Sequence, residues 1–288
     1  MRPNPQHLEA LVAVVEQGTF ESAAASLHLT PSAVSQRIRA LESEVGQVLV
    51  RRATPCTATE VAEPLLRLAR QTRLLQDEAT AALGSLTGTT LAVAVNADSL
   101  ATWFRDVLGA VAGMEGVALR LHVEDQGWSA DLLRRGETLA AVTSDPSPVQ
   151  GCSVTRLGTL RYVPAATPAL VHRHRRGGRT DWAALPMVDF NEKDSLQLAA
   201  LQRRGRAHPR VVHRVPTSAD FLEAVRRGLG WGMLPEPQLA EVAGDVEVLP
   251  ALGRVDVPLY WQRWRLASER LDALTAAVAS AAAAGLRP

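Results

Sequence analysis

The chain has 288 residues, 47% of them hydrophobic, with 31 basic side chains against 30 acidic ones. That length predicts two or three folding units, and no apolar run approaches the roughly 20 residues that span a bilayer, which excludes a helical membrane protein. A net charge of +1 argues neither for nor against a polyanionic partner.

The opening MRPNPQHLEALVAVVEQG holds an acidic residue within its apolar part and has no small-residue cleavage site, so it does not read as a secretion signal. Cys56 and Cys152 lie far apart with no metal-ligand spacing. A reducing, cytoplasmic setting is expected, with a redox-sensing pair as the alternative. Basic side chains are nearly all arginine, Lys193 being the single lysine, which reflects base composition rather than function.

Leu8, Leu11, Val12 and Val15 recur at helical spacing, and Gly18 is a natural stop. Thr19 can cap a second helix, in which Phe20, Ala23, Ala24 and Leu27 form a narrow face. Thr30 caps a third, with Pro31 at its first position, where the missing N–H costs nothing. There Val34, Ile38, Leu41 and Val45 share one side. Ser32, Gln36, Arg39 and Ser43 lie opposite, with Ser35 on the flank. Short polar groups let a helix backbone approach another surface closely. Gln can bond adenine bidentately, and Ser can donate or accept. Two helices joined by a short turn, the second with such a face, form the helix-turn-helix pattern.

QVLVRRATPCTATE then supplies a plausible wing, from which Arg51 and Arg52 could reach phosphates or a minor groove. Residues 1–60 carry five arginines against six glutamates, so the block is not basic overall; a small helical domain with a polar outer face stays open as the alternative. The ordered series HLEALVAVVEQGTFESAAASLHLTPSAVSQRIRALESEVG…LVRRATPCTATEVAEPLL resembles the N-terminal winged helix-turn-helix of LysR-type transcriptional regulators. The resemblance implies that the helix starting at Thr30 and Pro31 reads DNA. It implies that Ser32, Ser35, Gln36 and Arg37 face the major groove, with Arg51 or Arg52 on the backbone. Arg39 joins them from the face geometry alone.

Between residues 59 and 83 there is no Gly and one early Pro. Val61, Leu65, Leu68, Thr72, Leu75, Ala79 and Ala82 follow a 4-3-4-3 spacing, a heptad seam expected to pair two chains, chiefly through Val61, Leu65, Leu68 and Leu75. A helix packed on its own domain is the alternative. GSLTG, residues 84–88, is the expected hinge.

Beyond it, strands and helices alternate as in a parallel α/β unit: TTLAVAV, the helix DSLATWFRDVLGAVAG, VALRLHVED, the helix WSADLLRRG and TLAAVTSD. GCSVTRLGTLRYVPAATP adds two strand-like runs leaving that unit. MVDF, a helix after Asp194, RVVHRV, the helix SADFLEAVRRG and WGMLP make a second unit, and VPLYWQRWR with an Ala-rich last helix returns to the first. The fold class is therefore α/β: a winged helix-turn-helix (1–60), a linker helix and hinge (61–87), and a two-lobe domain (88–288). Lobe I spans about 88–162 and 264–288, and lobe II about 163–263.

In such sheets ligands sit beyond the strand ends, often at helix N-termini. Asn96, Asp98 and Ser99, then Thr143, Ser144 and Asp145, then Asp189 and Asn191, and finally Thr217 and Ser218 occupy such positions. Ser or Thr at a helix start would bind a carboxylate, and Asp98, Asp145 or Asp189 would hold an ammonium group; each Asp has an alternative as a cap or turn residue. NADSLATW, VED, LRRGE and PLYWQRW resemble the subgroup of LysR-type regulators that responds to lysine and arginine and activates a basic amino-acid exporter gene. That resemblance implies a two-lobe domain of periplasmic-binding-protein type, L-lysine or L-arginine as effector, no cofactor, promoter DNA and RNA polymerase as partners, and a homodimer or homotetramer. An organic acid or aromatic effector on the same fold, and a solute-binding or enzymatic α/β protein, are the rivals. No nucleophile–base pair or catalytic carboxylate pair supports turnover. Residues 172–179, HRHRRGGR, read as a solvated helix end rather than a nucleic-acid patch or a histidine metal cluster, and no metal site is expected.

Overall fold

Capping residues set the helices of the first sixty residues in the computed structural model, which describes residues 2–83, 88–124, 129–192 and 194–288. α1 (Pro5–Gln17) starts at Asn4, whose side chain accepts from the Gln6 N–H, and stops at Gly18 in the left-handed region (φ 74°). α2 (Phe20–Ser26) and α3 (Pro31–Val45) are capped by the hydroxyls of Thr19 and Thr30, each accepting the amide three residues on. Two-residue strands β1 (Val50–Arg51) and β2 (Thr57–Ala58) pair antiparallel as a wing. Leu11, Val14, Ala23, Val34, Ile38 and Leu41 close the core beneath the helices, and Leu49 and Cys56 fasten the wing to it. The Glu42 carboxylate accepts from the N–H groups of Leu49 (2.9 Å) and Val50 (3.3 Å), which fixes where the wing leaves α3.

After a 3-10 turn at Glu60–Ala62, α4 (Glu63–Ala82) runs for 20 residues, about 30 Å at the helical rise. Leu65, Leu66 and Ala69 bury against the head, and Leu74 enters the core of the following domain. This corrects the heptad seam. Leu65, 9% exposed, belongs to the head's own core, whereas Val61, Leu68 and Leu75 stay 38%, 43% and 40% exposed on the other face. The helix is thus packed along one side and open along the other. Of the expected hinge, only Gly88 lies within the described residues.

β3 (Thr89–Val95), α5 (Ala97–Ala101), α6 (Arg105–Ala112), β4 (Val117–Val123), α7 (Ser129–Arg134) and β5 (Ala140–Thr143) make the first α/β unit, with β3 parallel to both β4 and β5. Asp125 and Trp128, within two of the quoted sequence motifs, lie outside the described residues. The single helix expected after β3 is two. The chain turns at Thr102 (φ −119°, ψ −110°), and the turn buries Trp103 and Phe104 edge to face. The two runs expected after Gly151 are one 15-residue strand, β6 (Cys152–Ala166).

α8 (Pro168–Arg173), the hairpin β7 (Arg175–Arg176) and β8 (Arg179–Thr180), β9 (Met187–Asp189), α9 (Leu196–Arg203), β10 (Val212–Arg214), α10 (Ser218–Arg226), β11 (Gly232–Pro235), α11 (Glu236–Glu241) and β12 (Glu247–Val248) form the second unit. Residues 172–179 are thus a helix end continued by a hairpin. β13 (Val255–Trp264) returns antiparallel between β5 and β6, and α12 (Glu269–Gly285) contributes Leu271, Leu274 and Val278 to the core under the sheet. The order β11-β6-β13-β5-β3-β4 makes β6 and β13 the shared spine of both units, and β6 passes residues 162 and 163 without a break.

Candidate DNA interface and ligand cleft

On α3, Pro31, Ser32, Gln36, Arg39 and Ser43 are exposed, while Ser35 is half-buried. Thr30 caps the helix, and its hydroxyl also lies 3.0 Å from that of Ser32. Arg37 is half-buried and donates to the Gln6 side chain on α1 (3.3 Å), so it braces the helix as well as bordering its outer face. Arg51 and Arg52 are exposed on the wing, with the Arg52 guanidinium 5.3 Å above the Phe20 ring. Two of the six glutamates in this block face inward interactions: Glu42 holds the wing, and Glu16 pairs with Arg70 on α4 at 3.1 Å. The acidic count therefore overstates the negative charge presented around α3.

The second site converges on one carboxylate. Asn96 ends β3 as the N-cap of α5, and Asp98 sits in that helix's first turn, where the exposed N–H groups favour negative charge. Asp98 Oδ2 accepts from the Tyr162 hydroxyl on β6 (2.9 Å), and Oδ1 accepts from the Ser218 hydroxyl at the start of α10 (2.7 Å). Ser218 in turn accepts from Gln238 Nε2 on α11 (3.1 Å). A residue of the first unit is thereby tied to one on the crossing strand and to one in the second unit. Asn96 and Ser99 are buried beside it. Tyr162 and Gln238 carry no sequence signal of their own, being a strand aromatic and a helix amide.

The remaining expected residues divide. Thr143 is buried at the end of β5, its hydroxyl accepting from the Asp145 N–H (3.1 Å), next to half-buried Ser144. Asp145 closes a turn by accepting from the Ser147 N–H (2.8 Å), a structural use of the carboxylate. Gln262, buried on β13, fastens that loop by donating to the carbonyls of Asp145 and Ser147 and accepting from the Val149 N–H. Thr217 is exposed and serves as the cap of α10, accepting from the Asp220 N–H. Asn191 likewise accepts from the Asp194 N–H in the turn after β9. Asp189 ends β9 half-buried, and burial, reinforced by the charge of Asp194, pushes its carboxyl up to about 6 against Arg214 and His208. Both cysteines are buried thiols, and burial raises that of Cys152 to about 12, which suits a packing role. Among the described residues, no three His, Cys, Asp or Glu side chains converge as a metal site requires.

A winged helix-turn-helix carried on a linker helix, followed by two α/β units tied together through Asp98, defines a ligand-responsive transcriptional regulator. Residues 5–63 match the bacterial regulatory helix-turn-helix protein family of lysR type, and residues 84–283 match the LysR substrate binding domain. The chain belongs to the LysR family. It is 48% identical to the lysine export transcriptional regulatory protein LysG of Corynebacterium glutamicum, over 99% of this chain and 100% of that one. Among solved structures, ArgP from Mycobacterium tuberculosis superposes with a TM-score of 0.87 at 46% identity, covering 100% of this chain and 99% of that one. Full-length LysG from Corynebacterium glutamicum with bound effector arginine superposes with a TM-score of 0.82 at 47% identity, covering 99% and 100%.

Proposed function

We propose that this chain is a cytoplasmic, dimeric or tetrameric regulator, not an enzyme, that binds promoter DNA through α3 and the wing and is switched by arginine or lysine. On this reading Ser32, Ser35, Gln36 and Arg37 face the major groove, with Arg39 on the same side of α3, and Arg51 or Arg52 addresses the backbone. The target is a basic amino-acid exporter gene, activated through RNA polymerase. The observation that carries the reading is Asp98, a carboxylate held by hydroxyls from β6 and α10 at the junction of the two units. An ammonium or guanidinium seated there exchanges its N–H donors for those hydroxyls and draws both units onto one ligand. Support for the effector's chemistry comes from the export role in one relative's name and the arginine in another's structure. The ligand acts through its unequal affinity for two arrangements of the units.

Calorimetric titration of the full chain with L-arginine, L-lysine and a panel of organic acids tests this. Heat from the basic amino acids alone supports the reading, and heat from the acids alone overturns it. Gln36→Ala is expected to weaken operator binding by about 1–3 kcal/mol, the scale of a lost bidentate base contact. Fluorescence anisotropy on specific and random duplexes measures this, while arginine affinity stays at the wild-type value.

Asp189 gives a second handle, as the residue we assign to the ligand's cationic end in the second unit. Its carboxyl is protonated below about pH 6 and ionised above. A bound cation favours the ionised form, so arginine affinity rises with pH from 5 to 7, by about tenfold for one linked proton. A proton is released on binding near pH 6. Calorimetry in two buffers of different ionisation enthalpy detects it, and Asp189→Asn should flatten the profile.

A further inference from the structure

The linker helix meets the rest of the chain through arginines. Arg70, only 11% exposed, donates from Nε to Glu16 Oε1 in the last turn of α1 (3.1 Å) and from Nη1 to the Gly136 carbonyl after α7 (3.1 Å). One planar guanidinium thus spans from the DNA-reading head to the ligand domain, which its fork geometry allows and a lysine's point charge does not. One turn earlier, Arg67 donates to the Arg134 carbonyl (3.3 Å) and lies 5.1 Å from the Trp264 ring at the end of β13. Arg134 and Gly136 stand at the C-terminal end of α7, where carbonyls lack intrahelical partners and cations are favoured.

The contact is close. Gly136 has a φ of +66°, and a Cβ there would come within 2.6 Å of Arg67 Cα, so the α4 backbone rests directly on this loop. The same loop leads into β5, whose last residue, Thr143, lies in the candidate cleft. A cavity of about 270 Å³, lined by Glu16, Arg70, Arg73, Asp77, Arg120 and Glu137, borders the ion pair. Arg73, which lines it, also reaches Glu16 Oε1 at 3.6 Å, so Glu16 is the shared partner of both arginines.

We propose that Arg70 and Glu16 form a positioning pair that fixes the orientation of the head against the ligand domain, and through it the separation of the two reading helices in a dimer. This rests on the reading of the chain as a dimeric DNA-binding regulator. With the pair intact, the head follows the loop after α7. With it broken, the head turns together with the start of α4, which shares its core, relative to the ligand domain.

The test uses the full chain and an operator that it selects from random duplexes, compared with the same operator lengthened by about half a turn, 5 base pairs, between half-sites. Wild type is expected to lose about 30-fold or more in affinity on the lengthened site, as a rigid pair of heads must. Glu16→Gln and Arg70→Lys should lose about threefold or less, while binding the original operator within about fivefold of wild type and keeping its melting temperature and arginine affinity. A merely structural role would lower stability and leave the spacing penalty untouched. Spacing penalties equal to wild type in both folded variants overturn the proposal. Should Glu16→Gln fail to fold, Arg70→Lys gives the same readout. A wild-type chain that selects no operator overturns the regulator reading itself, and the pair with it.

Discussion

Asp98→Asn is expected to reduce arginine affinity by about 30-fold or more, from the 2–5 kcal/mol typical of truncating one partner of a buried charge pair. The substitution keeps the shape of the side chain, so the result isolates charge. The carboxylate offers one oxygen to Tyr162 and the other to Ser218. An amide offers one oxygen and one NH2, so one of the two hydroxyls must turn away or switch to accepting. Asparagine in that place therefore loses both attraction for a cationic ligand and part of the tie between units. Tyr162→Phe gives the contrast. It removes a donor that a ligand N–H would itself replace and leaves the carboxylate's charge in place, so arginine affinity should not fall below that of wild type. Calorimetry on both variants decides between a carboxylate that binds ligand and one that only ties the units together. Equal arginine affinity in wild type and Asp98→Asn would leave the second.

The sequence revealed features whose causes are local. Thr19, Thr30 and Gly18 mark helix ends because each cap is made within a few residues, and the structure has them in those roles. Asp98 was legible as a carboxylate at a strand end opening a helix. Ser218 was legible as a cleft residue, but its pairing with Asp98 and the part of Tyr162 were not, because the two lie 120 and 64 residues from Asp98 and nothing in β6 or α10 points back to α5. Asp145 and Thr217 show the converse. A strand-end Asp and a helix-opening Thr look alike whether the side chain faces a cleft or bonds the amide two or three residues on, and here they bond the amide. Glu16 and Glu42 were counted as charge against DNA because a composition count does not show that an arginine on α4 and two wing amides face them. The break after α5 was hidden for a similar reason. Helical spacing continues through Trp103 and Phe104, and only the core they enter makes the chain turn.

Leu68→Glu combined with Leu75→Glu is expected to leave the chain monomeric at micromolar concentration and to lower operator affinity by about 100-fold or more, because one head alone contacts only a half-site. The seven-residue interval brings Leu68 and Leu75 onto one stripe of α4, with Val61 in the 3-10 turn just before it. That stripe remains about two-fifths exposed in a single chain, while Leu65, Leu66, Ala69 and Leu74 are buried on the other side. Fully burying a leucine is worth about 1.5–3 kcal/mol, so covering the two-fifths still exposed on Leu68 and Leu75 contributes about 1 kcal/mol for each of the four seam leucines in a dimer. Carboxylates in their place face each other across the seam and repel. Leu65→Ala separates the two faces of the helix. It opens a cavity in the head, at a cost of about 2–5 kcal/mol, and should lower the melting temperature without changing the association state. Sedimentation velocity and anisotropy on the three proteins distinguish these roles. If the doubly charged variant still sediments as a dimer, α4 is a strut on its own chain and the reading helices are paired elsewhere.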